Sequence, residues 1–362
     1  MDNYSELFCS ILKAALWGHH LDIRLGKEDF KHVWNDATRQ VTRGLVGNVL
    51  VTSDAVPHGI ADRIKDWLLL IGGENYKMAR VLSKLLKTLT DNGINAVLLK
   101  GLGVASNYRE PSLRESGDID LYVGVEDYRR AFDVLAPLSD PDKELLFEAE
   151  SKHSHIDING IPVEIHRYCA VLPRRYNAFF QNVAEKGLHE GTELITLADV
   201  EMKVRIPEPT FNAFFLFEHL WQHLVTEGVG LRQVCDWTMF LHANAGRIDK
   251  ERLVSILEPL DLLRAWRVIG RIAVDVLGLP EEEMPLIANL PSKKVEKVVE
   301  MMMEEGNFGH ERVDWWTVPR ESFFDNVRVF FMILRRYLKL FPTFGIVVLN
   351  EYIDRMRIKF FS

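Results

Sequence analysis

Residues 117–123 read Gly-Asp-Ile-Asp-Leu-Tyr-Val, and this stretch decides the fold. Polar and apolar side chains alternate along it, which is typical of a half-buried β-strand. Since side chains two positions apart in a strand project to the same face, Asp118 and Asp120 are predicted to lie side by side. Carboxylate oxygens are the ligands that Mg²⁺ or Mn²⁺ prefers, and Mg²⁺ keeps further positions for substrate phosphates. The stretch therefore predicts a metal-binding strand.

A β-hairpin is predicted around Asn159-Gly160, a pair that separates two alternating runs. Asn-Gly is the strongest short signal for a two-residue hairpin turn. With that turn, His155 faces Glu164, and His153 faces His166. The alternation then gives the hairpin one apolar face and one polar face. The polar face carries His155, Asp157, Glu164 and His166.

This polar face has three interpretations. It is a solvated outer surface, or it is a zinc site made of histidine and acidic side chains, or it borders the metal-binding strand. In the third case Glu164 is placed to be a third carboxylate beside Asp118 and Asp120. We expect these three carboxylates to converge on adjacent strands.

A phosphate-binding segment is predicted upstream of the acidic strand. Residues 95–100 form a short apolar run, interpreted as a buried strand, and a short helix is expected over residues 104–108. Gly101 and Gly103 between them permit a close approach of backbone to ligand, and a helix N-terminus offers free N–H groups to an anion. Lys100 and Arg114 are then expected to hold the phosphates, the alternatives being a solvated strand end for Lys100 and an exposed loop charge for Arg114.

Helical periodicity covers most of the remaining chain. We divide it into an N-terminal helical segment (1–93), an α+β core (94–207) and a C-terminal helical domain (208–362). A short strand or connector is expected at residues 49–51, and one continuous helix over 250–277. The small sheet needs helices on its faces; we expect residues 67–89 to cover one face and residues 211–225 to form the wall over the carboxylates. The aromatic pairs expected in the core are Phe214-Phe215, Trp315-Trp316 and Phe323-Phe324.

Composition excludes several classes of protein. The chain has 362 residues with 44 Lys plus Arg and 52 Asp plus Glu, a net charge of −8. A mildly acidic protein is a poor general binder of nucleic acid, because phosphate contacts need a basic surface. The three cysteines are far apart and fit reduced thiols. The N-terminus does not resemble a signal peptide and we find no transmembrane segment, so we expect a cytoplasmic protein.

The order and spacing of several short motifs resemble the uncharacterised nucleotidyltransferase family of the DNA polymerase-β-like superfamily. The resemblance covers roughly residues 5–275. Where the superfamily has a Gly-Ser signature, this chain has Lys100-Gly101-Leu102-Gly103. The residues that carry the resemblance are Leu98-Leu99-Lys100-Gly101, Arg114, Gly117-Asp118-Ile119-Asp120-Leu121, Val123, Val163-Glu164-Ile165-His166, His219, His223 and residues 231–236.

The resemblance implies an α+β fold in which a minimal nucleotidyltransferase mixed sheet is flanked by an N-terminal helical segment and a C-terminal helical bundle. It implies that Asp118, Asp120 and Glu164 bind Mg²⁺ or Mn²⁺. A nucleoside monophosphate is then transferred from an NTP to an unknown hydroxyl or amine acceptor, and pyrophosphate is released. The acceptor is a small molecule, a protein or an RNA end. The residues expected to line the acceptor cleft are His155, His166, His219, His223 and Arg232.

An alternative belongs to another functional class. The chain is then a catalytically silent relative that binds nucleotide or a partner protein without turnover. The missing Gly-Ser signature favours this alternative, whereas retention of all three carboxylates favours the enzyme.

Overall fold

The computed structural model describes residues 2–197, 200–307 and 323–361. The helices are α1 (Asn3–Trp17), α2 (Lys27–Arg39), α3 (Arg43–Thr52), α4 (His58–Asp91), α5 (Leu102–Ala105), α6 (Gly124–Leu135), α7 (Arg174–Glu185), α8 (Pro209–Val225), α9 (Leu231–Ala243), α10 (Lys250–Leu257), α11 (Leu263–Asp275), α12 (Ser292–Glu305), α13 (Phe323–Phe344) and α14 (Ile346–Phe361). The strands are β1 (Val97–Leu98), β2 (Ile119–Tyr122), β3 (His153–Ile158), β4 (Ile161–His166), β5 (Thr192–Leu197) and β6 (Met202–Pro207).

A mixed four-stranded sheet lies at the centre of the α+β core, with strand order β1-β2-β4-β3. Strand β1 pairs antiparallel with β2, β2 parallel with β4, and β4 antiparallel with β3. Strands β5 and β6 form a separate antiparallel hairpin. The predicted α+β class with a small mixed sheet is confirmed.

The β3–β4 turn sets the register that the sequence predicts. His155 lies opposite Glu164, and His153 lies opposite His166. Asn159 and Gly160 have φ angles of 54° and 71°, as a type I′ turn requires. The parallel pairing of β2 with β4 then places Asp120 directly beside Glu164.

The second half of α4, together with α6, covers the apolar face of the sheet, as predicted for residues 67–89. Leu82 and Leu85 of α4 and Phe132 of α6 belong to the same buried cluster as the strand side chains. A sheet with one apolar face needs such a layer to exclude water from it. The side chains of the four-stranded sheet that are buried in this cluster are Leu98, Ile119, Leu121, Ile156, Ile158, Ile161, Val163 and Ile165.

A second core joins the two ends of the chain. Buried side chains of α1–α3 pack in one cluster with those of the helices from α8 onward. The buried pair Phe214-Phe215 is part of it, as predicted; residues 315–316 and the side chains of residues 323–324 lie outside what the structure describes. Because this core draws on both the first and last predicted segments, the division at residues 93/94 and 207/208 stays a prediction.

Three of the predicted elements differ from the structure. Residues 49–51 belong to α3, because Val49 and Leu50 are buried on one side of a helix and this packing outweighs their preference for strands. The helix predicted over 250–277 is interrupted between α10 and α11, where Pro259 disfavours a continuous helix and Asp261 has a φ of 58°. The first strand is also shorter than predicted, since only Val97 and Leu98 pair with β2.

Two further findings concern the cysteines and the lengths of the described helices. Cys9, Cys169 and Cys235 are buried and form no disulfide, as predicted for reduced thiols. Burial raises the pKa of the Cys9 thiol to about 12. Within the described residues, every helix is too short or too polar to cross a bilayer.

Helix α3 touches the loop that leads to the acidic strand, and Gly44→Ala tests this contact. A Cβ on Gly44 would lie 2.0 Å from the carbonyl oxygen of Leu113. We expect this variant to lose about 1–3 kcal/mol of stability, because backbone must move to relieve the overlap. Gly73→Ala is the matched control: nothing lies within 4 Å of its added Cβ, and alanine in a helix interior gains roughly 1 kcal/mol. The urea midpoints of both variants measure this, and equal midpoints would contradict the contact.

Candidate active site

A cavity of about 340 Å³ lies between the polar face of the sheet and helices α8 and α9. Its walls include many of the residues that the sequence singled out. Those that line it are Lys100, Gly101, Arg114, Asp118, Glu164, His219, His223 and Arg232. Asp120 and His166 lie directly beneath this surface, with 1% of each residue exposed.

Strands β2 and β4 and the segments beside them bring five titratable side chains together on the sheet side of the cavity. The Nζ atom of Lys100 lies 3.0 Å from Oδ1 of Asp120. The Nε2 atom of His166 lies 2.9 Å from the same oxygen and 3.1 Å from Oε2 of Glu164. Asp118 immediately precedes β2 and lines the cavity, as Glu164 does. The polar face thus concentrates three carboxylates, as the strand parity predicts.

The charges in this group shift one another's pKa values. Burial alone would raise the pKa of Asp120, but the Lys100 ammonium and His166 hold it well below its ordinary value. The pKa of Asp118 is raised, chiefly by the neighbouring Asp120 carboxylate and then by burial. Burial would lower the pKa of Lys100, yet the carboxylates of Asp120, Asp118 and Glu164 raise it. Lys100 is therefore the resident positive charge among the three carboxylates.

The carboxylates of Asp118, Asp120 and Glu164 fit a hard divalent cation. The Oδ2 atom of Asp120 is buried and accepts no hydrogen bond, so one carboxylate oxygen is available to a ligand. Asp118 and Glu164 add further carboxylates at the cavity wall. An all-oxygen donor set of this kind suits Mg²⁺ or Mn²⁺. The loop at Gly101, with a φ of 58°, brings backbone rather than a side chain to the same wall.

A second group of possible metal ligands adjoins the carboxylates. His153, Glu164 and His166 each offer one atom, and these atoms lie within 4.8 Å of one another. Asp118 and Asp120 are outside this group. His153 was absent from the predicted site residues, although the hairpin register places it opposite His166 and could have identified it.

Two residues predicted to belong to the site lie away from the cavity. The ring of His155 is exposed at the outer strand β3, where its Nε2 lies 3.2 Å from Oδ2 of Asp157. Gly103 faces the core, since a Cβ there would meet side chains of Leu98 and Ile206 at 3.3 Å. Helix α5 is a single turn of four residues, so its N-terminus offers little to an anion. The roles predicted for these residues have no support from their positions.

The two arginines of the cavity have different surroundings. The guanidinium of Arg114 donates from Nε and Nη2 to the Asp236 carboxylate, at 3.0 Å and 2.6 Å. Tyr108 donates to the same carboxylate at 2.8 Å. The Asp236 carboxylate is thus paired with Arg114, which lies 122 positions away in the chain. Arg114 is occupied by this pair, which leaves it poorly placed to hold a triphosphate.

Arg232 fits an anion better than Arg114 does. Its Nη1 donates to the Glu115 carbonyl at 2.9 Å, while its Nε is buried without a hydrogen-bond partner. Burial and then the nearby Arg114 guanidinium lower the pKa of Arg232. An anion in the cavity would satisfy the free N–H and relieve the repulsion between the two guanidinium groups. Arg232 is therefore the better candidate for phosphate binding.

Helix α8 forms the wall opposite the sheet, where we predicted it. His219 and His223 lie one turn apart on it, with ring centroids 4.5 Å apart. The pKa of His219 is well below its ordinary value, mainly because of burial and then because of Lys100. The ring is thus neutral near pH 7 and can donate or accept a hydrogen bond. Four other polar residues line the cavity without having been among the predicted site residues, namely Lys152, Glu227, Gln233 and Asp236.

Comparison with known proteins gives one finding. The model of a family described as uncharacterised nucleotidyltransferase matches residues 26–278. This span includes every residue discussed above for the cavity and the carboxylates. Neither the curated proteins nor the solved structures contain a match to the chain.

Proposed function

Because the chain belongs to the uncharacterised nucleotidyltransferase family, we propose that it transfers a nucleoside monophosphate from an NTP to a hydroxyl or amine acceptor. The observation that carries the proposal is the Asp118, Asp120 and Glu164 group on the polar face of the sheet, at the wall of a cavity. The family supports nucleotidyl transfer in general. The metal, the nucleotide and the acceptor class belong to this proposal.

Asp118, Asp120 and Glu164 would hold the divalent cation. A bound Mg²⁺ would supply charge neutralisation at the phosphate oxygens and alignment of the triphosphate. The chain itself supplies two further cationic groups, Lys100 among the carboxylates and Arg232 across the cavity. We assign the β- and γ-phosphates to these two side chains, since both are cationic hydrogen-bond donors that line the cavity.

The acceptor would enter from the side of α8. Asp118 and Glu164 both face the cavity, so either carboxylate is placed to orient the attacking hydroxyl or amine or to accept its proton. His219 and His223 would hydrogen-bond the acceptor, because a phosphate site alone does not distinguish one acceptor from another. The Glu227 carboxylate lies 3.1 Å from His223 Nδ1 and orients that ring.

One observation favours a second candidate function. Lys100 lies at the position of the superfamily's Gly-Ser signature, and its ammonium already neutralises part of the carboxylate charge at 3.0 Å from Asp120. A chain with such an internal cation could bind a nucleotide without turning it over. This candidate predicts nucleotide binding without pyrophosphate release.

The two functions are tested together with purified full-length protein. Each of the four NTPs is supplied with Mg²⁺, and the release of labelled pyrophosphate and the melting temperature are recorded. An extract of small molecules, proteins and RNA is added as the source of acceptor. Pyrophosphate release that depends on one NTP supports the enzyme. A raised melting temperature without release supports the silent binder, and no effect of any NTP contradicts both.

A further inference from the structure

A nitrogen-containing group of ligands adjoins the carboxylates. We propose that His153, Glu164 and His166 form a binding site for a divalent transition-metal cation of the zinc class. This site shares Glu164 with the proposed Mg²⁺ site of Asp118, Asp120 and Glu164, which we call the oxygen-only site, but is distinct from it. One atom of each side chain lies within 4.8 Å of the other two, the single such group of three among the described residues. The inference does not depend on nucleotidyl transfer, because cation binding is measured without any nucleotide.

The orientation of His166 is that of a metal ligand. Its Nδ1 lies 3.2 Å from the backbone carbonyl oxygen of Tyr168. Since a carbonyl only accepts hydrogen bonds, Nδ1 carries the hydrogen and Nε2 points toward Asp120 and Glu164, at 2.9 Å and 3.1 Å. Histidines that bind metal usually donate their other ring N–H in this way. When the ring is singly protonated on Nδ1, its Nε2 lone pair faces these two carboxylates, and a divalent cation can then take the place of the proton that otherwise bridges Nε2 to them.

His153 supplies the second nitrogen. Its Nδ1 is buried, has no hydrogen-bond partner and lies 3.5 Å from Oε2 of Glu164. Buried polar atoms in folded proteins are rarely left without a partner, so a cation would satisfy this atom. The register of β3 with β4 holds His153 opposite His166, and the two ring centroids lie 5.0 Å apart. The two imidazoles are therefore fixed by the sheet rather than by a loop.

The chemistry of these ligands selects the class of cation. Two imidazoles and one carboxylate suit zinc and its first-row neighbours, whereas Mg²⁺ prefers oxygen ligands alone. Three protein ligands is also the number found at catalytic zinc sites, where a fourth position stays open. His153 and Glu164 both line the cavity, so a ligand in the cavity has access to the cation.

Equilibrium dialysis of the full-length protein tests the site. The protein is stripped with EDTA and dialysed against Zn²⁺ with Mg²⁺ in large excess, and the metal content is measured by mass spectrometry. We expect about one Zn²⁺ per chain in the wild type. His153→Ala should weaken Zn²⁺ binding at least about 100-fold. Loss of a group that only orients a metal ligand costs about 10- to 100-fold in affinity, and loss of the ligand itself costs more. His155→Ala is the matched control, because this exposed ring lies two residues away on the same strand.

Several outcomes would overturn the inference. These are a wild type that retains no Zn²⁺ in excess Mg²⁺, or equal Zn²⁺ binding by the wild type and His153→Ala. Asp118→Asn should keep its Zn²⁺, which separates this site from the proposed oxygen-only site. If circular dichroism shows that His153→Ala is misfolded, the absorption spectrum of the wild type loaded with Co²⁺ decides whether nitrogen atoms bind the cation. A spectrum typical of six oxygen ligands would contradict nitrogen ligation.

Discussion

Asp118→Asn/Asp120→Asn is expected to lose both the transfer of nucleotide and the stabilisation by Mg²⁺ with NTP. Asp120 is buried with a free Oδ2, and Asp118 faces the cavity, so the double change removes the carboxylate charge of β2. A ligand present at 100 times its Kd stabilises the native state by about 2.7 kcal/mol. This gain should be present in the wild type and absent in the variant. Transfer should fall by at least about 10²–10³-fold, as for loss of a group that stabilises charge in the transition state.

Asp157→Asn is the matched control for this prediction. Asp157 lies on the same face of the sheet at strand β3, where it contacts His155, and the cavity does not include it. Its change should leave both the thermal shift and the transfer rate within about twofold of wild type. Chelation of metal from the wild type should reproduce the double variant. An equal thermal shift in wild type and double variant would show that the nucleotide binds elsewhere.

The second large effect separates the two arginines of the cavity. Arg114→Met should reduce the free energy of unfolding by about 3–5 kcal/mol, because it leaves the Asp236 carboxylate buried without its cation. Arg232→Met should cost no more than about 1.5 kcal/mol, the net value of the hydrogen bond to Glu115. For NTP affinity we expect the opposite order, with the larger loss in Arg232→Met. Arg232→Met should weaken NTP binding about 10- to 150-fold, which corresponds to a charge-assisted hydrogen bond.

Denaturant unfolding and NTP titration of both variants measure these effects. Arg114→Met/Asp236→Leu supplies the control for the buried pair, since replacement of both charges by apolar side chains costs less than removal of one. The double variant should therefore be more stable than Arg114→Met alone. The assignment would be refuted if Arg232→Met left NTP binding unchanged, or if Arg114→Met unfolded at the same denaturant concentration as wild type.

The α+β class, the hairpin register and the polar face of the sheet were all predictable from local sequence. Asn159-Gly160 fixes the turn, and the two-residue period of a strand then decides which face each side chain of β3 and β4 occupies. The same period puts Asp118 and Asp120 on one face. These features depend on neighbours in sequence, so no knowledge of distant contacts is needed. The roles of the individual site residues, by contrast, stay predictions.

The ion pairs of the site and several element boundaries depend on contacts between residues that are far apart in the sequence. Asp236 lies 122 positions from Arg114, so the spacing of residues along the chain does not identify this pair. Lys100 and His166 meet at one oxygen of Asp120, because β2 lies between β1 and β4 in the sheet. The break near Pro259 and the helical state of residues 49–51 likewise follow from chain geometry and packing.

Local sequence by itself determined which side chains share the polar face of the sheet, since strand parity is a property of consecutive residues. Only the tertiary structure decided which charges neutralise one another beneath the cavity. The physical reason is that ion pairing depends on distance and burial, and both are set by the order of the strands in the sheet and by the packing of α8 and α9 over it. The free Nε of Arg232 and the unpartnered Nδ1 of His153 are products of that packing.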